Sequence, residues 1–359
     1  MITRAGSDRV AAAAGRAFTL VELLVVMIII ALVIGIVLPA LGGARDIARK
    51  ATASEIMTQF TTAAASFQNE KRRVPGYFST REMAAQNATE GMSAMENALL
   101  DLAGDGVIYN QDGPGRVRVG PITGASQVFI DPNMLMTGSG GYFTAPAKYM
   151  VAQIRGSQQI GDPGHTDAEG QPQMPDFVDP WGAPLLLWVQ DELTIGPVSR
   201  MSEFAAADYQ AGQTGARFYW RPNACFLRAT STGRRSVDQT DAEKGSLITQ
   251  VTNNDNDAGL NALVALTGSP TGLKPGDETL AHNLMKPASA RGRFIVHSAG
   301  SNGVFLGRQE RGAKAAAGTL YYGLNFKTTS NAVQTNADGE KTSIDVLSGF
   351  DDIVVAGGN

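Results

Sequence analysis

The residue types that carry chemistry are sparse in this chain and stand apart. Its three histidines, His165, His282 and His297, are widely separated and lack the spacing of metal ligands. His297 and Ser298 are adjacent on a strand-like run, and alternation along a strand sends them to opposite faces, the wrong arrangement for a base and its nucleophile. The single cysteine, Cys225, lies in the apolar string Ala224-Cys225-Phe226-Leu227, so a buried, inert thiol is expected and an intrachain disulfide is excluded. Gly138-Ser139-Gly140-Gly141 lacks the Lys-Ser/Thr of a phosphate loop. Asn253 to Asp257 lacks the Gly and the closing Glu of a calcium loop and reads as a polar turn. There is no nucleophile elbow, dinucleotide fingerprint or paired-carboxylate signature, so catalysis is not expected. Two acidic placements remain to be explained: Glu22 within a long apolar segment, and Asp351-Asp352 near the C-terminal end.

The segment around Glu22 runs AFTLVELLVVMIIIALVIGIVLPAL from Ala17 to Leu41. Residues 23–44 carry no charge, which as a helix makes about 33 Å against roughly 30 Å of bilayer hydrocarbon. A carboxylate in a spanning helix costs about 2.5–3.5 kcal/mol at the centre and less near an end, so it needs a partner or a purpose. Taken alone, Glu22 is equally an interfacial carboxylate that snorkels to the headgroups and favours the helix N-terminus. Pro39 removes a backbone donor and tends to kink a helix, which membranes tolerate where neighbours compensate. An ordinary secretory signal, cut near Ala40-Leu41-Gly42 or Gly42-Gly43-Ala44, is the competing reading. Its apolar region would span only about 7–15 residues and hold no carboxylate. The preceding residues 1–17 read as a leader with Arg4, Arg9 and Arg16, which favour a cytoplasmic N-terminus. Arg45, Arg49 and Lys50 beyond the span weaken that bias.

The rest of the chain has the composition of a globular protein, with 43% hydrophobic and 18% charged residues among 359. Its net charge of −4 argues against nucleic acid as a partner, and its 41 glycines suit a loop-rich β domain. From Ala44 to about Glu70 there is no Pro. Ile47, Ala51, Met57, Phe60, Ala64 and Phe67 form an apolar stripe at helical spacing, so the spanning helix continues as an amphipathic one until Val74-Pro75-Gly76. If straight, the whole helix would measure roughly 75 Å. A second helical stretch is expected over Arg81 to Leu102, interrupted by Gly91, and strands over Arg116–Val119 and within Ala125–Met136. Gln158 to Pro175 reads as a surface loop. Asp179-Pro180-Trp181-Gly182-Ala183-Pro184 is a turn delivering the chain into the strand Leu185–Val189. Ala205 to Gly215 is expected as a loop or short helix, and Ala216 to Thr230 as a strand pair. Leu260 to Leu266 is a brief apolar run, and Pro270 to Pro287 a loop. Arg293 to Ser298 reads as a strand, Ala299 to Gly303 as a tight turn and Val304 to Gly307 as a closing strand.

Phe18-Thr19-Leu20-Val21-Glu22-Leu23-Leu24 after a basic leader resembles the N-terminal signal of type IV pilins and type II secretion pseudopilins. The resemblance implies cleavage by a prepilin peptidase between Ala17 and Phe18, N-methylation of Phe18, and assembly roles for Glu22, then the fifth residue, and Pro39, then the twenty-second. The family usually has Gly before the cut. Here Ala17 stands there, and cutting after Gly15 would make Glu22 the seventh residue. Asp179-Pro180-Trp181-Gly182 is similar to a turn of the major pseudopilin of type II secretion. Ser298 to Gly303 and Gly349 to Val355 resemble that domain's turn and terminal segment, with Asn302 where an Asp is common. The resemblance implies one Ca²⁺ held by Ser298, Asn302, Asp351 and Asp352, and no other cofactor.

The expected fold is therefore α+β. A long N-terminal helix, membrane-spanning over 18–41 and amphipathic over 42–70, packs on an antiparallel sheet domain over 176–359, with a large loop-rich insertion over 71–175. The function implied is a structural subunit of a type II secretion pseudopilus, anchored once in a bacterial inner membrane with a periplasmic domain. Its partners are prepilin peptidase, other pilin-like subunits, an inner-membrane assembly platform and membrane lipid, without nucleic acid. A type IV pilus pilin and a membrane-tethered binding domain are the alternatives.

Overall fold

The computed structural model describes residues 19–86, 92–104, 106–121, 127–137, 140–151, 174–227, 245–270, 285–310, 320–323, 334–335, 337–339, 341–342 and 345–358. The expected loops over 158–175 and 270–287 lie largely outside these residues. The chain divides into two units, Met1–Ala48 and Arg49–Asn359.

Helix α1 spans Leu20–Lys71 and is unbroken through Pro39. In the first unit its described side chains are exposed all round, from Leu20 to Leu38 and on to Ile47. A helix exposed on every side among the described residues and apolar over this length matches a bilayer in length and composition. In the second unit the same helix turns amphipathic. Ile56, Met57, Phe60, Ala64 and Phe67 are buried, while Glu55, Thr58, Gln59 and Thr62 face solvent. It ends at Lys71, ahead of Val74-Pro75-Gly76.

The buried stripe of α1 packs on the central sheet of the second unit. That sheet holds β6 (Leu186–Val189), β9 (Phe294–Ser298) and β12 (Ile353–Gly357) in the order β12-β9-β6, all antiparallel. Alternation divides its side chains between two cores. Phe294, Val296 and Leu187 join Phe60 and Phe67 of α1, with Met95 and Leu99 of α3 (Ala94–Leu102). Ile295, Leu186 and Trp188 face the other core, built around α7 (Ala258–Thr267). Every residue of α7 from Gly259 to Thr267 is buried. The apolar run Leu260–Leu266 is thus a core helix, and the acidic turn before it ends in its N-cap, Asp257, whose carboxylate accepts a hydrogen bond from Leu260 N at 2.8 Å.

Between α1 and β6 the chain builds α2 (Thr80–Gln86), α3 and a small sheet of β1 (Ile108–Tyr109), β2 (Val117–Val119) and β3 (Val128–Ile130), ordered β1-β3-β2. These share a third core with Met83, Leu100 and Leu135. The stretch expected as one interrupted helix is two. The strand expected within Ala125–Met136 stops at Ile130, because Asp131 and Pro132 open α4 (Pro132–Thr137), with the Asp131 carboxylate accepting from Asn133 N at 2.9 Å. A short pair, β4 (Met150–Val151) with β5 (Asp176–Phe177), leads into the turn before β6.

Three expectations fail. Ala205–Ala206, placed in a loop or short helix, is strand β7, which follows α5 (Met201–Phe204) and pairs in parallel with β8 (Phe218–Tyr219). The second half of the expected strand pair, Phe226-Leu227, is helical: α6 (Ala224–Leu227) follows a 3₁₀ turn begun at Arg221-Pro222, and all four of its residues are buried. Burial on every side erases the alternation that marks a strand. Val304–Gly307 is not a closing strand. β9 already has β6 on one edge and β12 on the other, so no ladder position remains, and Gly307 makes only an isolated bridge with Ser246. A last pair, β10 (Gln334–Thr335) with β11 (Lys341–Thr342), precedes β12.

Candidate functional site

Two places bring functional chemistry together, one in each unit. At the start of α1, Thr19 and Glu22 form a reciprocal cap. Thr19 N and Oγ1 each donate to Glu22 Oε2 at 2.8 Å, and Glu22 N donates to Thr19 Oγ1 at 3.2 Å. Such a box satisfies backbone donors that a helix start leaves open. Ala17 and Phe18 themselves lie outside the described residues. Pro39 lies within the continuous helix.

The second place is at the end of the central sheet. β9 and β12 are antiparallel with Ser298 opposite Ile353, so the turn leaving β9 meets the residues entering β12. Asp351 Oδ2 caps that turn, accepting from Ser301 N at 2.9 Å, Ser301 Oγ at 2.6 Å and Asn302 N at 3.1 Å. Gly300 sits at φ +66, where a Cβ would meet the Asp351 carbonyl, so this turn requires glycine. The Asp352 side chain is fully buried. Its Oδ1 accepts from Leu306 N at 2.9 Å and lies 2.6 Å from His297 Nε2. Glu310 Oε1 accepts from Asp351 N at 2.9 Å.

Glu310, Asp351 and Asp352 thereby converge, each offering a carboxylate oxygen within 4.8 Å of the others. Each also keeps one buried oxygen without a hydrogen-bond partner: Glu310 Oε2, Asp351 Oδ1 and Asp352 Oδ2. Burial and the neighbouring Asp351 push Glu310 up to about 8, and burial raises Asp352 as well. A hard cation suits this donor set, since it would use the orphaned oxygens and cancel the repulsion. Of the four residues expected from sequence to hold Ca²⁺, Asp351 and Asp352 enter the cluster. Asn302 Oδ1 is taken by Val304 N at 2.7 Å, and Ser298 Oγ donates to Asp179 Oδ2 at 2.7 Å. Glu310 belongs to no motif. Its one signal in the sequence is that it is the first acidic residue after the β9 turn.

Asp179 ties the Pro-Trp-Gly turn to the same end of the sheet. Its Oδ1 accepts from Trp181 N at 2.9 Å and Ala183 N at 3.0 Å, while Oδ2 holds Ser298. Burial raises its carboxyl to about 6 despite these bonds. Cys225 is fully buried, and burial drives its thiol well above the ordinary range, as expected of an inert thiol.

The long apolar helix α1 opens on the capped Glu22 carboxylate. The family model described as the prokaryotic N-terminal methylation motif matches residues 14–38. The chain thus carries a prepilin-type processing motif, and the one helix among the described residues that is long and apolar enough to cross a membrane fits a single-pass, membrane-anchored protein. No curated protein and no solved structure matches it.

Proposed function

We propose that the protein is a pilin-like structural subunit, a pseudopilin of a type II secretion system. It sits in the bacterial inner membrane by α1, with its second unit in the periplasm. Prepilin peptidase cuts between Ala17 and Phe18, Phe18 is N-methylated, and an inner-membrane assembly platform draws the subunits into a short filament for protein secretion. The observation that carries this reading is the methylation motif over residues 14–38, with Glu22 four residues beyond Phe18. Cleavage there creates a positive amine in an apolar setting, where a lone charge is penalised and a paired one is acceptable. In a filament, Glu22 of one subunit neutralises the amine of its neighbour and sets the axial register. The turns at Asp179–Gly182 and Ser298–Gly303 favour the secretion filament over a type IV pilus, because both resemble the major pseudopilin.

In the same reading one Ca²⁺ is held by Glu310, Asp351 and Asp352. It neutralises three carboxylates and fastens the β9 turn to β12.

Mass spectrometry of the mature protein taken from membranes tests the proposal. A chain beginning at methylated Phe18 supports it. A chain beginning at Met1 points to a plain anchor, and one beginning near Gly43 points to a secreted soluble domain; either sinks it. Glu22→Ala is expected to abolish assembly while the thermal midpoint of the second unit stays unchanged.

A further inference from the structure

Three cations stand together on α1 where its uncharged part ends. Residues 23–44 carry no charge, and Arg45, Arg49 and Lys50 follow within one short run. Arg45 and Lys50 are exposed and Arg49 is half-buried. None of the three is in an ion pair among the described residues. Asp46 is the one anion in the run and is exposed too, so a surplus of two positive charges remains. Ile47, in the same turn, is 71% exposed.

Neither folding nor insertion accounts for these cations. They hold no carboxylate of the second unit in place. The positive-inside rule counts Arg and Lys on the cytoplasmic side of a span, and the leader already supplies Arg4, Arg9 and Arg16 for that side. Three cations at the other end of the span oppose that topology.

Helix geometry places them. The uncharged stretch rises about 33 Å, against roughly 30 Å of hydrocarbon, so a bilayer with Glu22 at one boundary has Arg45 at the other. Arg49 and Lys50 rise about 6 and 7.5 Å further, close to the thickness of one headgroup layer. Cα–Cβ bonds of a helix tilt toward its N-terminus, so these long side chains lean back toward the hydrocarbon boundary and carry their charged heads at the phosphate level. Arg45 and Arg49 share one side of the helix, and Lys50 stands about 140° round from Arg45. Ile47 lies beyond it. Cations on more than one side, with an exposed isoleucine among them, suit a layer that surrounds the helix and is apolar on its inner edge.

We propose that Arg45, Arg49 and Lys50 bind the phosphate groups of anionic phospholipids in the leaflet where α1 leaves the bilayer, an inference that rests on α1 spanning a membrane. Phosphate oxygens accept from a guanidinium in pairs and from an ammonium singly, and each cation near an anionic surface adds to the attraction.

The test uses full-length protein in vesicles of phosphatidylcholine and phosphatidylglycerol, with a trace of one or the other lipid spin-labelled. The amount of label immobilised by the protein is read as a ratio, phosphatidylglycerol over phosphatidylcholine. That ratio is expected to exceed one, and to fall at least about twofold in Arg45→Gln/Arg49→Gln/Lys50→Gln. Arg118→Gln, which removes an exposed cation of β2, is expected to leave it unchanged. An unchanged thermal midpoint of the triple variant verifies that folding is intact. A ratio that the triple variant does not lower overturns the proposal, whether the preference then comes from the leader arginines or is absent. An equal fall with Arg118→Gln overturns it as well, because net charge alone would then set the preference. Protein that does not float with the vesicles at all takes down the membrane anchor itself, and this proposal with it.

Discussion

Two apolar patterns follow one another along α1, and they obey different solvents. From Leu20 to Leu38 the helix carries apolar side chains on every side, and among the described residues they stand exposed. From Ile56 to Phe67 its apolar residues keep to one stripe, and that stripe is buried against Phe294 and Val296 of the central sheet. A bilayer takes up all faces of a helix alike, so no periodicity is needed there. A sheet takes up only one face, so the stripe appears and the other face turns to Glu55, Thr58 and Thr62. One helix thus records its change of surroundings in its sequence.

The comparison breaks most sharply in a pair of truncations. Phe60 is fully buried, and Phe60→Ala is expected to cost about 3–5 kcal/mol, lowering the thermal midpoint of the full-length protein in detergent by many degrees. Ile29→Ala, in the exposed half, is expected to leave that midpoint where it was. Equal effects at both positions would show that the two halves share one environment.

A smaller effect separates the acidic cluster from the rest of the second unit. Glu310 keeps its proton up to about pH 8, whereas an ordinary glutamate loses it near 4.5. Between these values the folded state binds a proton that the unfolded state has released, so stability falls as pH rises from about 4.5 to about 8 and then levels off. Asp179, raised to about 6, adds a loss of the same sign at lower pH. In chelator the thermal midpoint is expected to decline across that range. Ca²⁺ is expected to restore it at pH 8, and Glu310→Gln is expected to flatten the upper part of the curve. Identical midpoints with Ca²⁺ and with chelator would remove the cation from the proposal.

The smallest effect lies in the other core. Asp257→Ala removes the cap of α7 and is expected to cost about 1 kcal/mol, read as a shift in the denaturant midpoint at unchanged slope.

The parts legible in the sequence were those where one physical pattern stood alone. α1 could be read through to its end because composition and periodicity each spoke clearly, and β6 and β9 because a turn before the one and a turn after the other bounded a β-prone run. Helices α6 and α7 were obscured by burial on all sides, which leaves an apolar string with no period. Val304–Gly307 looked like a strand because its residues suit one. The edges of β9 were already taken, a fact of topology that no local window contains. The candidate site divided in the same way. Asp351 and Asp352 are neighbours in a recognisable segment, but Glu310 joins them only through the chain's return beside β12.

The sharing of one core by Phe67 of α1 and Phe294 of β9 also sets an order of events in time. The ribosome makes the helix long before the strand. At roughly 5–20 residues per second, on the order of ten seconds to a minute separates them. Through that interval the apolar stripe of the stem has no sheet to cover it, while the segment ahead of it is already a candidate for the bilayer. Contacts this distant in sequence make folding slow. A newly made chain therefore passes through a stage in which this stripe is uncovered, and a holding chaperone would find its binding site in Ile56–Phe67.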